Sequence, residues 1–137
     1  MDARGYNVLM NTFVYGYSAA FSRVLDVRLV NRQVGEAILT TEYGRQFLDR
    51  LGFKIPNRKK IPGIARDFAA QFKKIGVTRR FEVLAASEER LEIDVGMCVF
   101  ASATAAFRQA GVTVPPCPVV GLLLSVIAYI TDKHGVI

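Results

Sequence analysis

The sequence has one histidine, His134, in 137 residues. A single histidine excludes a two-histidine metal site. It also leaves any Ser-His-Asp arrangement resting on a residue close to the end of the sequence. General acid–base work would then fall on carboxylates, and most of these alternate with basic residues on faces that read as solvated. There is no glycine-rich phosphate loop, no Gly-x-Ser-x-Gly elbow and no His-Glu-x-x-His pair. Catalysis has little to stand on, and no enzyme is expected. Only two cysteines occur, Cys98 and Cys117. They are too few for a disulfide framework and point to a reducing, cytoplasmic setting. The opening residues, MDARGYNVLMNTF, lack an apolar core with a small-residue cleavage site, so no secretory signal is expected. Internal repeats and low-complexity tracts are also missing.

Charge is missing from one long stretch. Between Arg108 and Asp132 no residue carries a formal charge, which raises the question of a membrane span. Pro115, Pro116 and Pro118 each fix φ and lack an N–H, so a helix can begin only near Pro118. The helix that remains, Pro118 to Ile130, is about 20 Å long, whereas a bilayer core needs about 30 Å. The segment is too short to span. It reads as a buried helix of a soluble domain, apolar on all sides.

What the sequence has in abundance is apolar residues, 51% with a mean hydropathy of +0.25. In a single domain of this length, such a surplus suggests a dimer interface, an internal apolar cavity, or both. Basic residues are concentrated. Lys54, Arg58, Lys59, Lys60, Arg66, Lys73, Lys74, Arg79 and Arg80 are opposed only by Asp67, a local +8 in a chain of net +6. A zone of this density attracts lipid head groups, nucleic acid or an acidic protein, or simply keeps the surface solvated.

Periodicity predicts three N-terminal helices. Tyr6, Met10, Phe13, Tyr17, Phe21 and Val24 share one face of a helix over about Tyr6 to Val24. A second helix is expected from about Asn31 to Leu51, with Val34, Ile38, Phe47, Leu48 and Leu51 apolar and Gly52 as its cap. A third carries Ile61, Ile64, Phe68, Phe72 and Ile75, with Pro62 in its first turn and Gly76 at its end. The period then drops to two. Phe81, Val83 and Ala85, then Leu91, Ile93 and Val95, alternate with polar neighbours, and Ser87–Glu89 can join two strands as a hairpin. The Ala-rich stretch from Cys98 reads either as a fourth helix closed by Gly111 or as a loop with one helical turn. VTVPP reads as an extended link. Helices and strands are segregated along the chain, which predicts an α+β fold of three N-terminal helices, a β-hairpin and a buried apolar C-terminal helix.

Two constellations invite a function. Cys98, Cys117 and His134 are candidate zinc ligands, although no tight Cys-x-x-Cys pair is present and buried cysteine commonly serves as a small apolar side chain. In the last helix Cys117, Gly121 and Ser125 fall four residues apart. This small stripe would admit either the backbone of another helix or a slender apolar ligand.

The stretches ARDFAAQFKKIGVT (Ala65 to Thr78) and CPVVGLLLSVIAYI (Cys117 to Ile130), set in this order of elements, resemble the V4R (4-vinyl reductase-like) domain. They also resemble the Bet3-type subunits of the TRAPP tethering complex, and the likeness runs over about Asn7 to Ile130. The resemblance implies an α+β domain that dimerises through its helices around an elongated apolar tunnel. Members of these families are associated with hydrocarbon or fatty-acyl ligands, scaffolding in membrane traffic and small-molecule sensing. Carried onto this sequence, Cys117, Gly121 and Ser125 take the small stripe, and Phe68 and Phe72 the cavity wall. Bet3-type chains can carry an acylated cysteine ahead of the Asp-Phe pair; here that place is Ala65, which implies non-covalent binding of any lipid. Bet3-type chains also continue with further strands, whereas this sequence stops at Ile137, which implies a smaller sheet or one completed by a partner. V4R members have cysteines and a histidine suspected of holding metal, and the spacing of Cys98, Cys117 and His134 does not reproduce that arrangement.

Together these readings lead to a non-catalytic, cytoplasmic homodimer, peripheral to membranes, with no cofactor beyond a non-covalently held hydrocarbon. Lys59, Lys60, Arg66, Lys73 and Lys74 would face anionic head groups or an acidic protein. Two alternatives belong to other classes. One is a nucleic-acid binder, although aromatics do not interleave the basic residues as stacking requires. The other is a sensor or small enzyme on the same fold.

Overall fold

The computed structural model describes residues 2–23, 26–113 and 117–135, and the side chains of Ser22, Val27, Arg28, Val30 and Asn31 are not described. Val24 and the Val114–Pro116 part of the expected link lie outside these residues. The fold is α+β. Its order is α1 (Ala3–Ser22), α2 (Val27–Thr40), α3 (Glu42–Leu51), α4 (Ile61–Ile75), β1 (Thr78–Ala86), β2 (Leu91–Cys98), α5 (Ala101–Gln109) and α6 (Pro118–Thr131). No helix among the described residues is long and apolar enough to cross a membrane.

The helix expected over Asn31 to Leu51 is in fact two, α2 and α3. Thr41 divides them. Its extended backbone (φ −91°, ψ 151°) stops α2, and its hydroxyl accepts from the Gly44 N–H at 3.2 Å as the N-cap of α3. A Thr followed by Glu42 was a helix-start signal, masked by the apolar spacing that runs across it. The fold-back brings Gly44 so close to the backbone of Ile38 that a β-carbon would sit 2.6 Å from the Ile38 Cα. At their C-termini α3 and α4 are capped by Gly52 and Gly76, with φ of 81° and 87° in the left-handed region that glycine adopts without strain.

β1 and β2 form an antiparallel hairpin, and the register pairs Phe81 with Val95 and Val83 with Ile93. A bulge at Leu84 then breaks the alternation. Ala85 pairs with Glu92, and both Leu84 and Ala85 are exposed. Two strands alone are marginal, and this pair is carried by α4. Phe81 packs edge-on against Phe68 at 5.8 Å, and Phe53, Phe68 and Phe72 complete an aromatic cluster. Thr78, fully buried, donates to the Gly96 carbonyl at 2.7 Å, so its hydroxyl is satisfied inside the sheet. The turn is latched to two helices. Glu88 Oε1 accepts from the Ile61 N–H at the start of α4 (3.2 Å), and its Oε2 pairs with Lys133 beyond α6 (3.2 Å).

α6 runs through the core, with Val119, Leu123 and Val126 fully buried. α2 packs along it. α1 packs against α5 and α2. Asn11 is its buried anchor: Nδ2 donates to the Val99 carbonyl (2.6 Å), and Oδ1 accepts from the Ala103 N–H (3.1 Å) at the start of α5. Tyr15 packs on Phe107 of α5 at 4.7 Å. The Ala-rich stretch is helical, as one of its two readings allowed.

Candidate functional site

An apolar cavity of about 560 Å³ lies where α2, α3, the end of α4 and the start of α6 converge. Val34 and Ile38 reach it from α2, Phe47 and Leu51 from α3, Phe72 and Ile75 from α4, and Pro118, Val119 and Leu122 from α6. Val99 and Phe100, just after β2, close one side. Not one of its lining residues has a charged or hydrogen-bonding side chain. Such a space can hold an apolar molecule but offers nothing to orient a polar one or to transfer a proton.

The cavity exists because α3 turns back over α2. One continuous helix would have carried Phe47 and Leu51 away from α4; the break at Thr41 sets them across from Phe72 and Ile75. Phe47 and Leu51 are themselves exposed on their outer sides, so they stand at the rim.

The five residues expected at an apolar site are distributed unequally. Phe72 lines the cavity. Phe68 sits behind it, fully buried in the aromatic cluster. Gly121 and Ser125 face α2 instead, and the small stripe is occupied by close helix packing. A β-carbon on Gly35 would stand 2.7 Å from Ser125 Cβ and 2.9 Å from the Gly121 carbonyl oxygen. Ser125 Oγ donates to the Gly121 carbonyl (2.9 Å) and lies 3.2 Å from that of Arg32, tying the two helices together. Cys117 immediately precedes α6, half-buried beside the cavity residues Pro118 and Val119.

Val34, Phe47, Leu51, Val99 and Phe100 were not singled out as ligand contacts. The first three already belonged to the apolar face of a predicted helix; what was missing was the fold-back that turns that face into a wall.

Cys98, Cys117 and His134 do not meet. Cys117 stands at the N-terminus of α6 and His134 past its C-terminus, separated by a helix of 14 residues, about 21 Å. His134 Nε2 lies 3.5 Å from Arg32 Nη2. Among the described residues no three His, Cys, Asp or Glu side chains are grouped to hold a metal ion. Burial pushes the Cys117 thiol above its ordinary pKa; the nearby Cys98 adds to this, while the backbone N–H groups of Val120 and Val119 oppose it.

The basic residues Lys59, Lys60, Arg66, Lys73 and Lys74 are all exposed. In α4 the apolar positions Ile64, Phe68 and Phe72 are buried, leaving Arg66, Lys73 and Lys74 on the outer surface. Arg58 pairs with Asp67 (2.9 Å) and Arg80 with Asp94 (3.0 Å). The five outer residues make no ion pair among the described residues. Their charge is unspent.

Comparison with protein-family models, with curated proteins and with solved structures returns no match.

Proposed function

We propose that this chain is a non-catalytic binding domain of the V4R/Bet3-like class, which holds a slender apolar molecule of fatty-acyl or other hydrocarbon type without a covalent bond. The observation that carries the reading is the cavity of about 560 Å³ whose lining lacks any polar side chain. Its volume falls within the ~300–1,000 Å³ usual for small-molecule sites. An apolar chain entering it would leave water without stranding a polar group on either side. The unpaired basic residues on the outside of α4 support a second part of the reading: the domain works as a scaffold beside a membrane, peripheral to it, with that face toward anionic head groups.

Titrating the full chain with a long-chain fatty acid, and following displacement of a fluorescent apolar probe, tests the ligand reading. Binding should saturate at one ligand per chain. Val34→Trp places an indole at a half-exposed rim position, and it should weaken binding at least tenfold while the circular dichroism spectrum stays unchanged. Absence of saturable binding, or an unaltered affinity in that variant, would overturn it.

A further inference from the structure

A second cavity, of about 410 Å³, lies between the hairpin turn, α6 and the residues that follow α6. It shares no lining residue with the apolar cavity described above. Its floor is a stripe of α6: Val120, Leu123, Leu124 and Ile127 fall at the spacing of one helix face. Leu91 and Ile93 of β2 wall one side. Lys133, His134 and Gly135 complete the lining, and the backbone comes close to the floor there. A β-carbon on Gly135 would stand 2.7 Å from Leu124 Cδ2.

This cavity differs from the first in having a charged rim. Glu88, Glu89, Arg90 and Glu92 reach it from the turn and the start of β2, and Lys133 reaches it from beyond α6. Lys133 meets Glu88 Oε2 at 3.2 Å, and Arg90 meets Glu92 at 3.3 Å. The third carboxylate is unmatched. Glu89 is exposed, and its side chain has no ion-pair or hydrogen-bond partner among the described residues. With His134 neutral, the rim keeps one negative charge above an apolar floor.

The turn itself does not need that charge. Ser87 Oγ makes it by accepting from the N–H groups of Glu89 (3.2 Å) and Arg90 (3.0 Å), and Glu88 latches it to α4 and Lys133. The Glu89 side chain serves neither purpose. We infer that this cavity binds a small primary amine with an apolar body, the ammonium taken by Glu89 and the body laid on the α6 stripe.

The chain already holds such a group at this rim. Lys133 is an ammonium on an aliphatic stem, and its Nζ donates to Glu88 Oε2 (3.2 Å) and lies 3.4 Å from the Glu88 carbonyl oxygen. Glu89, one residue further along the same turn, offers a second seat for the same chemistry. The volume falls within the ~300–1,000 Å³ usual for small-molecule sites.

Floor and rim together select the class of ligand. An apolar body gains by leaving water for the α6 stripe, which gives a bare inorganic cation nothing. A carboxylate head would face the unmatched Glu89, and a neutral head would leave its charge unused. The inference is independent of whether the first cavity holds a hydrocarbon, since the two sites are lined by different residues.

The test is a titration of the isotope-labelled full chain at pH 7 with three probes of like shape: 2-phenylethylamine, 2-phenylethanol and 3-phenylpropionate. Amide chemical shifts locate and quantify binding. The amine should saturate at one per chain, with shifts at Leu91, Ile93 and Leu124. The alcohol should bind about fivefold more weakly, the upper end for an exposed ion pair, and the carboxylate more weakly still. Glu89→Gln should abolish the preference for amine over alcohol. Leu124→Trp fills the floor and should weaken both at least tenfold. Because Glu89 is exposed, Glu89→Gln keeps the test decisive should Leu124→Trp fail to fold. Lack of saturation, equal binding of amine and alcohol to the wild type, or a preference that survives Glu89→Gln would each overturn the inference. So would shifts centred on Val34 and Phe47, which would place the amine in the other cavity.

Discussion

Gly35 and Ser125 meet where α2 crosses α6, and the contact leaves no room for a methyl group. A β-carbon on Gly35 would lie 2.7 Å from Ser125 Cβ, well inside contact distance, and the neighbouring Gly121 carbonyl is part of the same wall. This crossing sets the spacing of the two helices and so the width of the apolar cavity beside them.

Gly35→Ala should therefore destabilise the fold by about 1–3 kcal/mol, the usual cost of overpacking, although alanine is the better helix former. Ser125→Gly removes the obstructing Oγ and Cβ, so the double variant should recover part of the loss. Urea denaturation of the two single variants and the double variant checks this. Strict additivity would show that the two residues do not press on one another.

Asn11→Ala should release α1. It removes the two bonds by which the buried amide reaches beyond its own helix and leaves the Ala103 N–H and the Val99 carbonyl without this partner, at a cost of about 1–3 kcal/mol. Hydrogen exchange should quicken at Ala103 and along α1, while the amides of α4 and α6 keep their protection. A uniform rise across all helices would contradict a local anchor.

The basic face of α4 should bind without supporting the fold. Lys73→Ala combined with Lys74→Ala removes two exposed charges that have no ion partner among the described residues, so the melting temperature should hardly move. Binding to vesicles containing phosphatidylserine should fall about 30-fold, at ~1 kcal/mol per lysine, and should weaken further with salt. Equal binding of both proteins to these vesicles would remove α4 from the contact.

Cys117 should be a slow, pH-sensitive thiol. Its folded pKa is raised, chiefly by burial, so the folded state holds the proton more tightly than the unfolded chain. Its stabilising contribution is complete below the unfolded thiol value, about 8.5, and is lost as pH rises through the folded value. The urea midpoint should drop more steeply above about pH 8.5 in the wild type than in Cys117→Ala. A disulfide reagent at pH 8 should modify Cys117 at least tenfold more slowly in the folded chain than in urea. Equal rates would show the thiol to be open to solvent.

Much of the fold is local and could be read from neighbouring residues. Pro62 and Gly76 mark the ends of α4 because one lacks an N–H that the first turn does not need and the other adopts φ of 87°. The change of period at Thr78 marks the hairpin, and the three prolines before Val119 mark where α6 can start. Two local signals were overridden. Thr41 ends one helix and begins another within a single apolar pattern, and the bulge at Leu84 breaks an alternation that looks regular in sequence.

The candidate site was half legible for a related reason. Phe72 was named through the family resemblance, on a stripe of α4 that periodicity by itself marks only as buried. Val99 and Phe100 were not, because they reach the cavity only after β2 has run back along β1 to Val77, just past the end of α4.

Composition and spacing by themselves determined that this chain makes helices around one hairpin, with an uncharged helix too short to span a bilayer and a basic surface on α4, because each follows from interactions within a few turns or a few residues. Only the tertiary structure decided which apolar faces are used up. The small stripe of α6 is consumed by Gly35, the fold-back of α3 opens a cavity on the other side, and the stripe of α1 is left in water. A stripe records that a face must be covered, and its partner is settled by where distant helices come to rest.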